Sequence, residues 1–193
     1  MRIISGSARG RRLLTPSNYM IRPTADRVKE SLFNILTVQL GNFADRRVLD
    51  IFAGTGNLGI EALSRGATEA VFIDENRQAV SLLGKNLELT GFAGQGKILQ
   101  KEALSALRSL EKHAAPFGLV FLDPPYRQGL SGLVLGFLAS SALIDEDSLV
   151  VAETAAREEL PDQFGALREF DRRVYGDTAI VFFMLKKSVN SEG

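Results

Sequence analysis

Val48-Leu49-Asp50-Ile51-Phe52-Ala53-Gly54-Thr55-Gly56-Asn57-Leu58-Gly59-Ile60-Glu61-Ala62-Leu63 opens on a short apolar run, breaks into glycines and resumes with helical spacing. The order predicts a buried strand over 48–52, a tight turn, and a helix ending near Gly66. Glycines 54, 56 and 59 let backbone approach a ligand at a helix N-terminus, where N–H groups lack partners. The plain alternative is a strand-to-helix turn that holds nothing. Asp50, four residues before the first glycine, suits a cationic or hydroxyl-rich ligand better than a diphosphate.

Strand-like and helical runs alternate on either side of this stretch. Val28, Leu32, Ile35, Leu36 and Leu40 predict an amphipathic helix after Arg22-Pro23-Thr24. Downstream, strands are expected at 70–73, 97–100, 119–122 and 149–152, with helices at 77–90, 103–112 and 130–139; this is the pattern of a parallel sheet covered on both faces. The alternation ends at Leu167 to Tyr175 and Thr178 to Leu185, joined by Gly176-Asp177, which predicts an antiparallel hairpin. Dehydrogenases of doubly wound design keep a parallel sixth strand, whereas methyltransferases end with a reversed strand inserted in the sheet. The expectation is therefore an α/β, seven-stranded Rossmann-like sheet, mostly parallel with an antiparallel C-terminal hairpin.

Asp74 ends the second strand, where an acidic residue accepts ribose hydroxyls of NAD or of S-adenosylmethionine alike. Glu102, with Ala103 beside it, reads either as an adenine neighbour or as a solvated carboxylate in a first helical turn. Asp123-Pro124-Pro125-Tyr126, seventy-three residues after Asp50, follows the fourth strand. An exocyclic amine on a nucleobase is a poor nucleophile because its lone pair is delocalised, so its methylation needs acceptors that draw the hydrogens out of plane. The Asp123 carboxylate and Pro124 carbonyl offer two, the prolines stiffen the turn, and Tyr126 can stack on a base. A rigid surface turn with Tyr126 in the core is the alternative. Asp50 also suits the amino-acid end of S-adenosylmethionine.

Composition narrows the chemistry. With 193 residues and 45% hydrophobic content the chain can bury a full core. No cysteine is present, which excludes disulfides, Cys-ligated metal sites and a thiol nucleophile. His113 is the only histidine, and nothing near it supports a triad. No segment reads as a membrane span or signal peptide, so a cytoplasmic protein is expected. Net charge is zero, yet residues 1–29 carry seven Arg or Lys against Asp26 alone. A basic terminal arm on an acidic domain suits a phosphate backbone held by one part and a small cofactor by another; a merely solvated arm is the bland reading.

Taken with Asp26 to Leu36, Val48 to Ala67, Tyr175-Gly176 and the basic Ser5 to Leu13, these segments resemble the bacterial 16S ribosomal RNA guanine-N2 methyltransferase family, within the class I S-adenosylmethionine-dependent methyltransferases. The resemblance covers nearly the whole chain. It implies methyl transfer to the 2-amino group of a guanine in a small-subunit particle by a monomer with no metal and no obligate protein partner. It further implies Asp50, Phe52, Gly54, Gly56, Asp74, Glu75, Glu102, Ala103 and Asp123 at S-adenosylmethionine. Asp123, Pro124, Pro125 and Tyr126 are then at the target amine, and Arg9, Arg11, Arg12 and Arg22 on RNA. The implied division is an N-terminal arm or hairpin over 1–25, a methyltransferase domain over 26–187 and a tail over 188–193. Many relatives carry alanine where Asn57 stands, and Asp where Glu102 stands. Rival readings are methylation of adenine N6 or a glutamine amide, an NAD-dependent oxidoreductase, and an RNA-binding assembly module without catalysis.

Overall fold

The computed structural model describes residues 1–16, 23–112, 115–125 and 129–186. Arg22, His113, Tyr126 and the tail over 188–193 lie outside the described residues. Helices α1 (Pro23–Leu40), α2 (Asn57–Ser64), α3 (Arg77–Thr90), α4 (Ala103–Glu111) and α5 (Leu130–Leu138) surround one sheet. Its strands are β1 (Arg47–Ile51), β2 (Glu69–Ile73), β3 (Gly96–Leu99), β4 (Leu119–Leu122), β5 (Leu149–Ala155), β6 (Gln163–Phe164), β7 (Leu167–Tyr175) and β8 (Thr178–Leu185).

The spatial order is β3-β2-β1-β4-β5-β8-β7-β6. β1 to β5 run parallel, and β8 enters antiparallel between β5 and β7, pairing Val150 with Phe183 and Ala152 with Val181. The reversed, inserted strand is the methyltransferase finish. Eight strands replace the expected seven because β6 adds two residues at the β7 edge, turning at Gly165, which holds φ 56°. A two-residue strand is too short to leave a periodic signal in sequence.

Period two along each strand divides the core. Val48, Phe72, Phe121, Val151 and Phe182 face α1, α2 and α3, with the ring of Phe33 of α1 tilted at 48° against Phe121, 5.7 Å between centroids. Leu49, Val71, Val120, Val150 and Phe183 face α4 and α5. α3 follows its local signals closely: Asn76 accepts N–H bonds from Gln78 and Ala79, and Gly91 stops the helix at φ 85°.

The N-terminal segment is not a loose arm. Arg2 bridges antiparallel to Arg12, and Ile3, Ala8 and Leu13 are buried in the same core as α1 to α3. Glu61 of α2, fully buried, ties it down: Oε2 accepts from Ile4 N at 2.8 Å and Oε1 from Ser5 N at 3.0 Å. The same carboxylate meets Arg65 Nε at 2.9 Å and Lys29 Nζ of α1 at 3.2 Å. Lys29 Nζ also donates to the Arg2 carbonyl and to Asn57 Oδ1. Burial lowers the Lys29 pKa, and Glu61 opposes the shift. Lys29 therefore does not belong with the arm's solvent-facing charge, and Asn57, which reads from sequence as incidental, holds it.

Glu61→Ala leaves the buried Lys29 charge without its counter-ion, for a loss of about 3–5 kcal/mol. Lys29→Met leaves Glu61 its Ile4, Ser5 and Arg65 donors and should lose clearly less. Denaturant melts of the two variants test that order, and equal losses would contradict it.

Candidate active site

The carboxylates gather where the parallel strands end. Asp50 lies one step from the end of β1, and Asp74, Asp123 and Glu153 follow Phe72, Phe121 and Val151 by two residues, so strand alternation turns all four toward the face covered by α1 to α3. The Asp123 N–H donates to Ile51 O at 3.3 Å, holding the end of β4 beside β1. Sequence reasoning missed Glu153, although its signal was available: an acidic residue interrupting the apolar run Leu149 to Ala152. Among the described residues, no group of three or more His, Cys, Asp or Glu stands close enough to hold a metal ion.

The three glycines of the β1–α2 turn have different tasks. A Cβ at Gly56 would lie 2.3 Å from Leu83 Cδ1, and one at Gly59 would lie 2.3 Å from Phe72, so these two permit packing. Gly54, at φ 55°, has nothing within 4 Å of a Cβ position and faces open space, the place for a ligand against bare backbone. Phe52 adopts φ 62°, a conformation that costs a non-glycine residue about 1–3 kcal/mol and is concentrated at functional sites.

Asp74 steadies the loop: Oδ2 accepts from Gly54 N at 2.8 Å and Oδ1 from Asn76 N at 2.8 Å. Each oxygen keeps a lone pair for a hydroxyl donor. Asp50, only 2% exposed, sits beneath the loop and accepts from Gly59 N at 2.8 Å in the first turn of α2, where Gly56 offers no side-chain cap. Burial pushes its pKa up to about 7; the Gly59 N–H opposes this and the Asp74 charge adds to it. Glu75 is exposed. Glu102 caps α4, accepting from Leu104 N at 2.9 Å and Ser105 N at 2.8 Å, with Ala103 buried behind it. The helix-start alternative for Glu102 is thus realised in the structure.

Pro124 is buried and Pro125 exposed. Asp123 is solvent-exposed, while the protein around its carboxyl withdraws it in part from water. Desolvation there raises its pKa well above the usual carboxylate value, and the charges of Glu153 and then Asp50 push the same way.

Arg9, Arg11 and Arg12 are exposed, and Arg11 Nη1 donates to the Leu89 carbonyl near the end of α3. The hairpin tip binds Ser64: Ser7 N donates to its carbonyl at 2.8 Å and Ala8 N to its Oγ at 3.0 Å. Arg9 therefore lies near the far end of α2, about 12 Å along the helix from the glycine turn. Arg9 and Arg11 thus lie toward the ends of α2 and α3 that are remote from the carboxylates. A separate open cavity of about 610 Å³, lined by Leu40, Asp45, Arg46, Asp147 and Met184 among others, lies at the opposite ends of the strands and contains none of these groups.

The family described as conserved hypothetical protein 95 matches residues 1–184. A candidate rRNA methyltransferase of Bacillus subtilis (strain 168), YlbH, is 36% identical over 184 residues, 95% of this chain and 98% of that protein. Ribosomal RNA small subunit methyltransferase D of Escherichia coli (strain K12) is 38% identical over 161 residues, 83% of this chain and 78% of that one. A solved structure of a candidate methyltransferase from Escherichia coli, yhhF, superposes with a TM-score of 0.82 at 34% identity, covering 97% and 99% of the two chains.

The Asp50 shift fixes a sign. The native state keeps this proton to about pH 7 whereas an unfolded aspartate releases it near 3.8, so the group costs stability as pH rises between those values. The full cost, reached above pH 7, is on the order of 4 kcal/mol. Asp50→Asn retains an oxygen for the Gly59 N–H, so it should match the parent near pH 4 and exceed it in Tm at pH 8. Thermal melts across that range check this; a difference that does not grow with pH contradicts the assignment.

Proposed function

Because this chain belongs to the conserved hypothetical protein 95 family, and the Escherichia coli relative named above is a ribosomal RNA small subunit methyltransferase, we propose that it methylates the exocyclic 2-amino group of a guanine in small-subunit ribosomal RNA. S-adenosylmethionine is the donor and a partly assembled 30S particle the substrate. The observation that carries the reading is that Asp123-Pro124 follow directly on β4, with the Asp123 N–H bonded to Ile51 O at the end of β1, while Asp74 follows β2 on the other side of the glycine turn.

The open backbone at Gly54 and the carboxylates of Asp74 and Asp50 fit a cofactor that is cationic at one end and carries a ribose. Asp74 would hold the ribose hydroxyls, Asp50 would favour the cationic amino-acid end from below, and Phe52, Glu75, Glu102 and Ala103 would flank the adenosine. Bound there, S-adenosylmethionine supplies an electrophilic methyl on a sulfonium.

The chain's own part is orientation and proton transfer. The Asp123 carboxylate and Pro124 carbonyl accept the two N–H bonds of the guanine amine and turn its lone pair toward the methyl. Asp123, whose carboxyl holds a proton more readily than a free aspartate, would take up the proton that the amine gives up on methylation. Arg9, Arg11 and Arg12 would hold RNA phosphates along the α2–α3 side, Arg22 would add to the RNA contact, and Tyr126 would stack on the base.

Labelled methyl from S-adenosylmethionine should appear as N2-methylguanosine in small-subunit particles that lack the modification. Label in adenine or on protein would replace the reading. Asp123→Ala should cut turnover by roughly 10²–10⁴-fold and leave S-adenosylhomocysteine affinity within a few-fold. Lost cofactor affinity would instead move Asp123 into the cofactor site. Replacing Arg9, Arg11 and Arg12 together with alanine should weaken 16S RNA binding and flatten its salt dependence by roughly 2 in log–log slope. An unaltered slope would remove the arm from the interface.

A further inference from the structure

Asn86 lies in α3, fully buried, and no step of the reaction calls for it. Its side-chain amide nevertheless makes three hydrogen bonds to backbone remote in sequence. Oδ1 accepts from Leu14 N at 2.7 Å, and Nδ2 donates to Leu14 O at 3.0 Å and to Thr55 O at 2.9 Å. Toward Leu14 the amide behaves as a strand neighbour would, pairing with both the N–H and the C=O of one residue. Toward Thr55 it grips the middle of the Gly54-Thr55-Gly56 turn. Leu14 belongs to the basic hairpin and Thr55 to the glycine loop, so one rigid group joins the two segments.

The residue type is demanded by this task. Aspartate has no donors for the two carbonyls, leucine satisfies none of the three groups, and glutamine is one methylene too long for a buried site without slack. Gly54 and Gly56 both hold positive φ, 55° and 84°, in backbone that glycine leaves free to move. The Thr55 carbonyl between them is held by the same amide that pairs with Leu14, so a shift of the docked hairpin is passed to the turn.

We propose that Asn86 is a positioning residue that couples RNA held by the N-terminal hairpin to the cofactor loop, through the one buried amide shared by Leu14 and Thr55. The coupling rests on the reading of that loop as the S-adenosylmethionine site and of the hairpin as an RNA contact. By linkage the effect is reciprocal: RNA tightens cofactor binding by the factor by which cofactor tightens RNA binding.

The test is calorimetry of S-adenosylhomocysteine with the full chain, alone and saturated with a 16S RNA transcript. For the parent protein, RNA should tighten binding about fivefold or more, the lower range of measured couplings. Asn86→Leu should bring that ratio toward one. Leu14→Pro, which removes the N–H that donates to Asn86 Oδ1 and keeps the carbonyl that accepts from Nδ2, should lower the ratio part of the way and serves if Asn86→Leu folds poorly. A purely structural role lowers the active fraction or shifts both affinities together, and leaves the ratio in place. A parent ratio near one, or a parent-like ratio in folded Leu14→Pro, overturns the coupling alone. Absence of any S-adenosylhomocysteine binding by the parent overturns the reading of the loop and the coupling with it.

Discussion

A carboxylate with no access to water holds this molecule together. Glu61 brings two backbone N–H groups of the hairpin, the Lys29 ammonium of α1 and the Arg65 guanidinium of α2 to one point. Burying such a charge is unfavourable by several kcal/mol unless nearly every lone pair is used, and here four donors use them. An apolar residue at this place would pack without specifying a partner. The carboxylate accepts only an arrangement in which hairpin and α1 both arrive in register on α2, so the geometry of the glycine turn above α2 depends on where residues 4, 5 and 29 are seated.

The opposite electrical condition holds at the strand ends. Asp50, Asp74, Asp123 and Glu153 share one sheet face, and burial with mutual repulsion drives Asp50 and Asp123 toward protonation. A diphosphate entering there would add to that repulsion, whereas a cation relieves it. Three glycines after a strand match a dinucleotide fold and a methyltransferase fold equally well. The strain among the carboxylates separates them, and the inserted antiparallel β8 points the same way.

Periodicity made the architecture legible. Helix 77–90 with its Asn76 cap and Gly91 stop, strand 119–122, and the hairpin around Gly176-Asp177 follow directly from local patterns. What stayed hidden depends on contacts distant in sequence. Lys29 reads as one more basic residue of an arm, yet lies against Glu61 thirty-two positions away. Asn57 looks incidental until Lys29 is placed beside it. Glu102 offered two readings, and its oxygens are engaged by the helix it begins. Asp50 and Asp74 were identifiable from position, but the division of labour among Gly54, Gly56 and Gly59 required Leu83 and Phe72 to be in view.

The insertion of β8 has a consequence for how the chain reaches this state during synthesis. β5 shows an unpaired edge from the time it is made until residues 178–185 have been added, because its neighbour on that side is made last among the strands. An apolar strand with a bare edge is a template for wrong partners, including another nascent copy. Gly176-Asp177 limits the delay once β8 is made, because it returns β8 along β7 by a tight local turn, and the pair can then enter the sheet as a preformed hairpin instead of as two separate strands searching for their places.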